Sequence, residues 1–199
     1  MLQKNESRII QLLVANIGAD LTFSDIAAKL GQKYPQTHRS IKNLLRLGLI
    51  KEKKIGKSNI AKLDYSKHHP EYAIAEIERL LQINNKDIFA VVEKVIRVNK
   101  QFICILFGSY STGRYTKASD VDLLFIIPDE YGLDRFTKIV RSYLAANNAD
   151  INVIDENSLF EMWASPQKLN VGNEILKSHI VLAGAEYFIN LVRKHYVGR

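Results

Sequence analysis

FGSYSTGRYTKASDVDLLFII, residues 107–127, sets a Gly-Ser pair, a second glycine and two aspartates between two apolar runs. Just upstream, QFICILFG brings six consecutive apolar residues to a stop at Gly108, which suits a strand covered on both faces. Downstream, DVDLLFIIP reads as a second strand ended by a proline. Side chains two apart on a strand share a face, so Asp120 and Asp122 point one way and Val121 and Leu123 the other. Two such carboxylates, roughly 6–7 Å apart along the backbone, repel each other when half-buried. A divalent cation relieves that cost, and hard oxygen ligands favour magnesium. Gly108 and Ser109 are expected to offer free backbone N–H groups and a hydroxyl, a place where phosphate can be held. The plain structural alternative is a polar loop between two core strands.

The glycine spacing, Gly108 to Gly113, is that of a P-loop, but Arg114 stands where lysine is needed and Tyr115 where Ser or Thr must meet magnesium. The Rossmann glycine pattern and an EF-hand loop are also missing. Gly108, Ser109, Gly113, Ser119, Asp120, Asp122 and Leu123 together resemble the signature of the DNA polymerase β-like nucleotidyltransferase superfamily, and within it the minimal nucleotidyltransferases. The resemblance extends over roughly residues 86–199, the signature over 107–127 only.

That resemblance implies a third carboxylate on a later strand. A helical stretch around Phe136, Ile139, Val140, Tyr143 and Leu144 is followed by DINVI, which opens with Asp150; Asp150 is preferred to Asp155, which falls in the turn-like DENS. The resemblance further implies two magnesium ions on Asp120, Asp122 and Asp150, and ATP or another nucleoside triphosphate held near Gly108 and Ser109. A hydroxyl acceptor then attacks the α-phosphorus. Many members have Ala-Arg-Gly where this chain has Ser111-Thr112-Gly113, so either Arg114 or Lys117 supplies the missing cation or the nucleotide is held more weakly. Some members transfer AMP to a HEPN-class toxin partner and others modify small molecules such as aminoglycosides. An inactive relative that retains the fold is a further reading, against which the presence of all three carboxylates counts.

Working outward, the charge is uneven. Residues 1–70 hold 13 Lys/Arg against 5 Asp/Glu, a net +8, while residues 71–199 hold 15 against 16. A basic module that meets an anion, joined to a module with another task, is the natural reading. ESRIIQLLVANIG and TFSDIAAKLG read as helices, the second with Ser24 as its N-cap, and QTHRSIKNLLRLGLI as a third with Ile41, Leu44 and Leu45 inward. LIKEKKIGKSNIAKLDY then reads as two short strands around a basic turn. Over about residues 5–65 this resembles a winged helix-turn-helix domain. The resemblance implies double-stranded DNA as partner, with Gln36, Thr37, His38, Arg39, Lys42 and Asn43 facing the groove and Lys53, Lys54, Lys57 and Ser58 on the wing. Winged helices also serve as protein-docking modules.

Between the two lies SKHHPEYAIAEIERLLQINNKDIFAVVEKVIRVNKQ, with a helix from Pro70 and another after NNKD. The first could bridge the domains or pair with its copy in a homodimer. The C-terminal NEILKSHIVLAGAEYFINLVRKHYVGR reads as one or two amphipathic helices. Apolar residues at 47% and charged at 25% describe an ordinary globular chain. No apolar run is of bilayer length, the first ten residues lack a secretory pattern, and Cys104 is the only cysteine, so a cytoplasmic protein without membrane contact is expected. The expected fold class is α+β: a winged helix-turn-helix (1–68), a helical linker (69–100) and an α/β nucleotidyltransferase-fold domain with a short mixed sheet (101–199). Two functions follow, a DNA-associated nucleotidyltransferase or a DNA-binding regulator whose second domain senses nucleotide.

Overall fold

The computed structural model describes residues 2–98 and 100–198. The chain opens with helix α1 (Lys4–Ala15), a two-residue strand β1 (Leu21–Thr22), and helices α2 (Phe23–Lys29) and α3 (Tyr34–Arg46). Strands β2 (Ile50–Ile55) and β3 (Ser58–Leu63) form a hairpin whose tip turns at Gly56, φ 57°. A two-residue turn that follows the twist of its strands needs such a left-handed residue. The three strands pair antiparallel in the order β1-β3-β2. Helix α2 starts two residues earlier than the sequence suggested. Its N-cap is Thr22, not Ser24: the Thr22 hydroxyl accepts from the Asp25 N–H at 3.1 Å, and the Asp25 carboxylate accepts from the Thr22 N–H at 2.9 Å. This reciprocal pair satisfies two orphan amides at once, which a lone Ser24 could not do.

Helices α4 (Pro70–Leu81) and α5 (Lys86–Val95) lead into strand β4 (Ile103–Leu106), a single turn of helix α6 (Gly108–Ser111) and strand β5 (Val121–Ile127). Then come α7 (Leu133–Leu144), β6 (Ala149–Asp155), α8 (Glu156–Trp163), α9 (Val171–Lys177), β7 (Ile180–Ala183) and α10 (Ala185–Val197). The second sheet has the order β6-β5-β4-β7, with β5 and β6 parallel and the other pairs antiparallel, so it is short and mixed as expected. The C-terminal stretch departs from the expectation of helices only. IVLA is an edge strand on β4, and four residues are too few to carry a helical or strand period.

Each face of this sheet owns a core. On one, Cys104, Leu106, Leu123, Phe125 and Ile127 meet Ile88, Val91 and Val95 of α5 and Phe136, Val140 and Leu144 of α7. On the other, Ile103, Ile105, Leu124 and Ile126 meet Leu159, Trp163, Phe188 and Leu191. That second core runs on without a break through Tyr72 and Ala75 of α4 to Ile10, Leu13, Ile41 and Leu44 of the N-terminal helices. Helix α4 is therefore built into one core and α5 into the other. The Tyr72 hydroxyl donates to the Leu49 carbonyl and accepts from the Asp64 N–H at 3.1 Å, which fixes α4 to the base of the hairpin. No helix among the described residues is long and apolar enough to cross a membrane.

Candidate active site and basic surface

The site is built by register. Asp122 of β5 stands directly opposite Asp150 of β6 in the parallel pair, so their backbones are about 4.8 Å apart. Both lie on the face that continues into Leu124, and Asp120 stands immediately before the same strand, two residues ahead of Asp122. Strand β4 ends beside them, and Gly108 follows with φ 65°. A Cβ at Gly108 would lie 2.0 Å from Asp122 Oδ2, so only glycine can pass here. Asp122 is half-buried, and burial pushes its carboxyl above the ordinary range, helped by the negative charges of Asp150, Asp120 and Glu174. The Ser109 backbone N–H works the other way, by donating to it. That amide therefore faces a carboxylate, where the sequence reading has it free for phosphate.

Three carboxylates at one end of the sheet form a hard oxygen donor set that suits magnesium, and the bare backbone of Gly108 lies directly against one of them. As the side chains stand, no three acidic, histidine or cysteine residues among those described are gathered on a single point. Asp122 turns to the Ser109 amide, and the Asp150 carboxylate accepts from the Asn152 side-chain amide at 3.4 Å. The donor set fits a divalent cation in chemistry, and the side chains have to turn inward to share one.

Around the carboxylates lie residues that spacing did not reveal. Glu174, in the first turn of α9, adds its charge to the group. Ser178 Oγ lies 3.2 Å from Ser111 Oγ, and the Ser111 hydroxyl donates to the Gly108 carbonyl at 2.9 Å. Tyr110 and Tyr115 stack with centroids 4.3 Å apart and planes 4° from parallel. Burial, then the charge of Asp87, the Tyr115 phenol and Asp120, hold the Tyr110 phenol above its ordinary range. Arg114 is exposed, and its backbone N–H donates to the Ser109 carbonyl at 2.9 Å. Asp155 is engaged otherwise, as N-cap of α8, accepting from the Ser158 N–H at 2.7 Å.

Behind this edge a buried ionic knot secures the α9–β7 corner. Glu76 of α4 is 0% exposed; its carboxylate meets His179 Nε2 at 3.0 Å and Arg79 at 2.5 Å. The other ring nitrogen of His179 faces the Ile175 carbonyl, and Arg79 donates to the His179 carbonyl. Both ring nitrogens thus face oxygen atoms.

On the N-terminal unit, Gln36 and Arg39 of α3 and Lys54 and Lys57 of the hairpin are exposed. Lys42 is exposed but paired with Glu52 at 3.1 Å and lies 5.8 Å from the Phe23 ring centroid. His38 packs between Phe23 and Tyr34, at 6.0 and 5.7 Å. Thr37 corrects the expectation. It is 0% exposed, shares the inward stripe of Ser40, Ile41 and Leu44, and donates to Gln32 Oε1 at 3.1 Å. At 3.6 residues per turn, position 37 falls one turn before 41 and faces the core rather than a groove.

Residues 90–170 match the model of the nucleotidyltransferase domain family. Two proteins of Methanocaldococcus jannaschii are similar. "Putative protein adenylyltransferase MJ1547" is 32% identical over 45% of this chain and 61% of its own length. "Putative protein adenylyltransferase MJ0604" is 38% identical over 28% of this chain and 55% of its own. The chain thus spans little more than half the length of the curated relatives it matches. Among solved structures, AF1382 from Archaeoglobus fulgidus overlays on 42% of this chain and 94% of its own at 16% identity, with a TM-score of 0.35. MepR, a transcription regulator of the Staphylococcus aureus multidrug efflux pump MepA, overlays on 48% of this chain and 76% of its own at 18% identity, with a TM-score of 0.33. Likeness at that level carries no structural conclusion. Behind the N-terminal three-helix and hairpin unit, residues 90–170 are thus similar to the nucleotidyltransferase domain family.

Proposed function

We propose that the chain transfers a nucleoside monophosphate, with AMP from ATP as the first candidate, to a hydroxyl group, and that the hydroxyl belongs to a partner protein. The observation that carries the transfer is the register pairing of Asp122 with Asp150 beside Gly108. The protein acceptor is drawn from the names of the two archaeal relatives. Asp120, Asp122 and Asp150 would hold magnesium, which when bound neutralises phosphate charge and acidifies an acceptor hydroxyl. Gly108 leaves the Asp122 carboxylate room against the backbone, and the Ser109 N–H can shift from Asp122 to a phosphate oxygen. Asp150 takes the acceptor's proton. The acceptor oxygen bonds to the α-phosphorus as the bond to the bridging oxygen breaks and pyrophosphate leaves.

The test is transfer of label from α-labelled ATP, GTP, CTP or UTP, with magnesium and a cell lysate as acceptor source. Label should require magnesium, vanish in Asp150→Asn and persist in Asp155→Asn, whose side chain only caps α8. Label unaffected by Asp150→Asn would refute the assignment.

A second reading, a DNA-binding regulator that senses nucleotide, is favoured by one feature, the exposed set Gln36, Arg39, Lys54 and Lys57 on the basic unit. Here Lys54→Ala with Lys57→Ala should weaken binding to all duplexes and lower the salt slope by about 0.9 per lost phosphate contact. Unchanged binding and slope would remove DNA from the account. Nucleotide binding without transfer, together with DNA binding, would favour this reading over the first.

A further inference from the structure

We propose that the outer face of Tyr115 is the platform on which the nucleobase of the substrate stacks. The inference rests on the nucleotidyltransferase reading and adds the residue that holds the base. It starts from the stacked pair in the connection between β4 and β5. Tyr110 belongs to the turn of α6 and packs against the core under α5 and α7. Tyr115 lies flat on it, planes 4° from parallel, and is itself 43% exposed. One side of the Tyr115 ring is thus covered by Tyr110, and the ring stays open to solvent. A phenol kept only to fill space would be covered on both sides; this one extends a stack that a third ring can continue.

The placement suits a nucleotide. Tyr115 sits on the same connection as Gly108 and Ser109, six residues past the serine, and five residues before Asp120. Tyr110 beneath it is close enough to Asp120 to feel its charge. A base and its phosphates are separated by one ribose, so a stacking ring has to belong to the phosphate-binding connection or lie next to it. The connection is also braced before any ligand arrives. The Arg114 N–H bonds to the Ser109 carbonyl at 2.9 Å, and the Thr116 N–H to the Ser119 hydroxyl at 2.9 Å. Gly113 makes the tight turn between them with φ 71°. A ring held in place in advance loses little freedom on binding. Stacking also reads any base by its π-face and favours the larger purines, so ATP and GTP should be preferred over CTP and UTP.

The experiment uses the full chain with magnesium and the triphosphate of 2-aminopurine riboside, whose fluorescence is quenched by stacking. Wild type should bind with quenching. Tyr115→Ala should bind on the order of 10-fold more weakly and lose the quenching, with KM raised and kcat nearly unchanged. Tyr115→Trp should restore both, and Tyr115→Leu, which keeps apolar bulk without a π-face, should not. Tight, quenched binding by Tyr115→Ala or Tyr115→Leu would overturn the platform and leave the transferase reading standing. Failure of the wild type to bind any nucleotide would overturn both.

Discussion

Asp122→Asn should lower nucleotide transfer on the order of 1,000-fold, an increase of about 4 kcal/mol in the barrier, while raising the melting temperature of the metal-free protein. The two effects have one cause. Asp122 is half-buried among Asp150, Asp120 and Glu174, so its carboxyl is held above the ordinary value of 3.8. For a group whose folded-state pKa is raised, the favourable contribution is complete below the unfolded value and is lost as pH rises through the folded one. At neutral pH the ionised Asp122 is therefore a net cost to folding, one that the proposed cation would offset. Asn keeps an oxygen for the Ser109 amide and removes the repulsion. Calorimetry with chelator present should show the variant melting a few degrees higher. Added magnesium should raise the melting temperature of wild type and leave the variant nearly unmoved. A variant that melts lower without metal, or one that responds to magnesium like wild type, would mean that Asp122 is not the strained ligand described here.

Glu76→Gln is expected to have the largest effect on stability, a loss of about 3–5 kcal/mol. For a chain of this size that corresponds to a fall of roughly 6–20 °C in the melting temperature. Burial is the strongest influence on Glu76 and opposes its charge, but His179 and Arg79 together outweigh it and hold the carboxyl below its ordinary value of 4.5. Gln cannot balance the Arg79 charge, and the buried His179 ring would lose its carboxylate partner. Since the folded-state pKa is depressed, the stabilisation is present above the unfolded value and disappears as pH falls through the folded one. Wild type should therefore lose stability steeply below pH 4.5, and Glu76→Gln should lose less over the same interval. Urea unfolding at neutral pH and at pH values below that point would measure both. Equal stability of the two proteins at neutral pH would show that the buried knot is balanced by its own desolvation.

The knot also bears on transfer, because it fixes the corner that carries Ser178. A loosened corner would release Ser111 and, through it, the Gly108 carbonyl. A fall in transfer in Glu76→Gln, measured well below its melting point, would report that positioning; Glu76 itself touches none of the reacting groups.

How much of this was legible beforehand follows from the range over which each interaction acts. The pairing of Asp120 with Asp122, the strands around them and the glycine turn are set by neighbours within a few residues, and strand periodicity reads them directly. Asp150 could be nominated only through the family pattern. Its place opposite Asp122 depends on how α7 returns the chain to lay β6 parallel to β5, which no local period encodes. Thr37 was misread because a polar residue in a basic helix looks outward-facing, whereas the helical phase set by Ile41 and Leu44 turns it inward. The C-terminal strand was missed because four residues carry no period of their own and become a strand only by pairing with β4.

The sequence by itself determined the charge asymmetry, the apolar stripes of the helices and the identity of the donor atoms at the site, all properties of side chains or of near neighbours. Tertiary structure alone decided which way those atoms face. It turned Asp122 to the Ser109 amide, brought Glu174 into the acidic group, laid Tyr115 on Tyr110 and closed the Glu76–His179–Arg79 knot. The last of these joins residues 103 positions apart. Contacts of that kind depend on how the whole chain packs, and the residues beside them in sequence carry no mark of it.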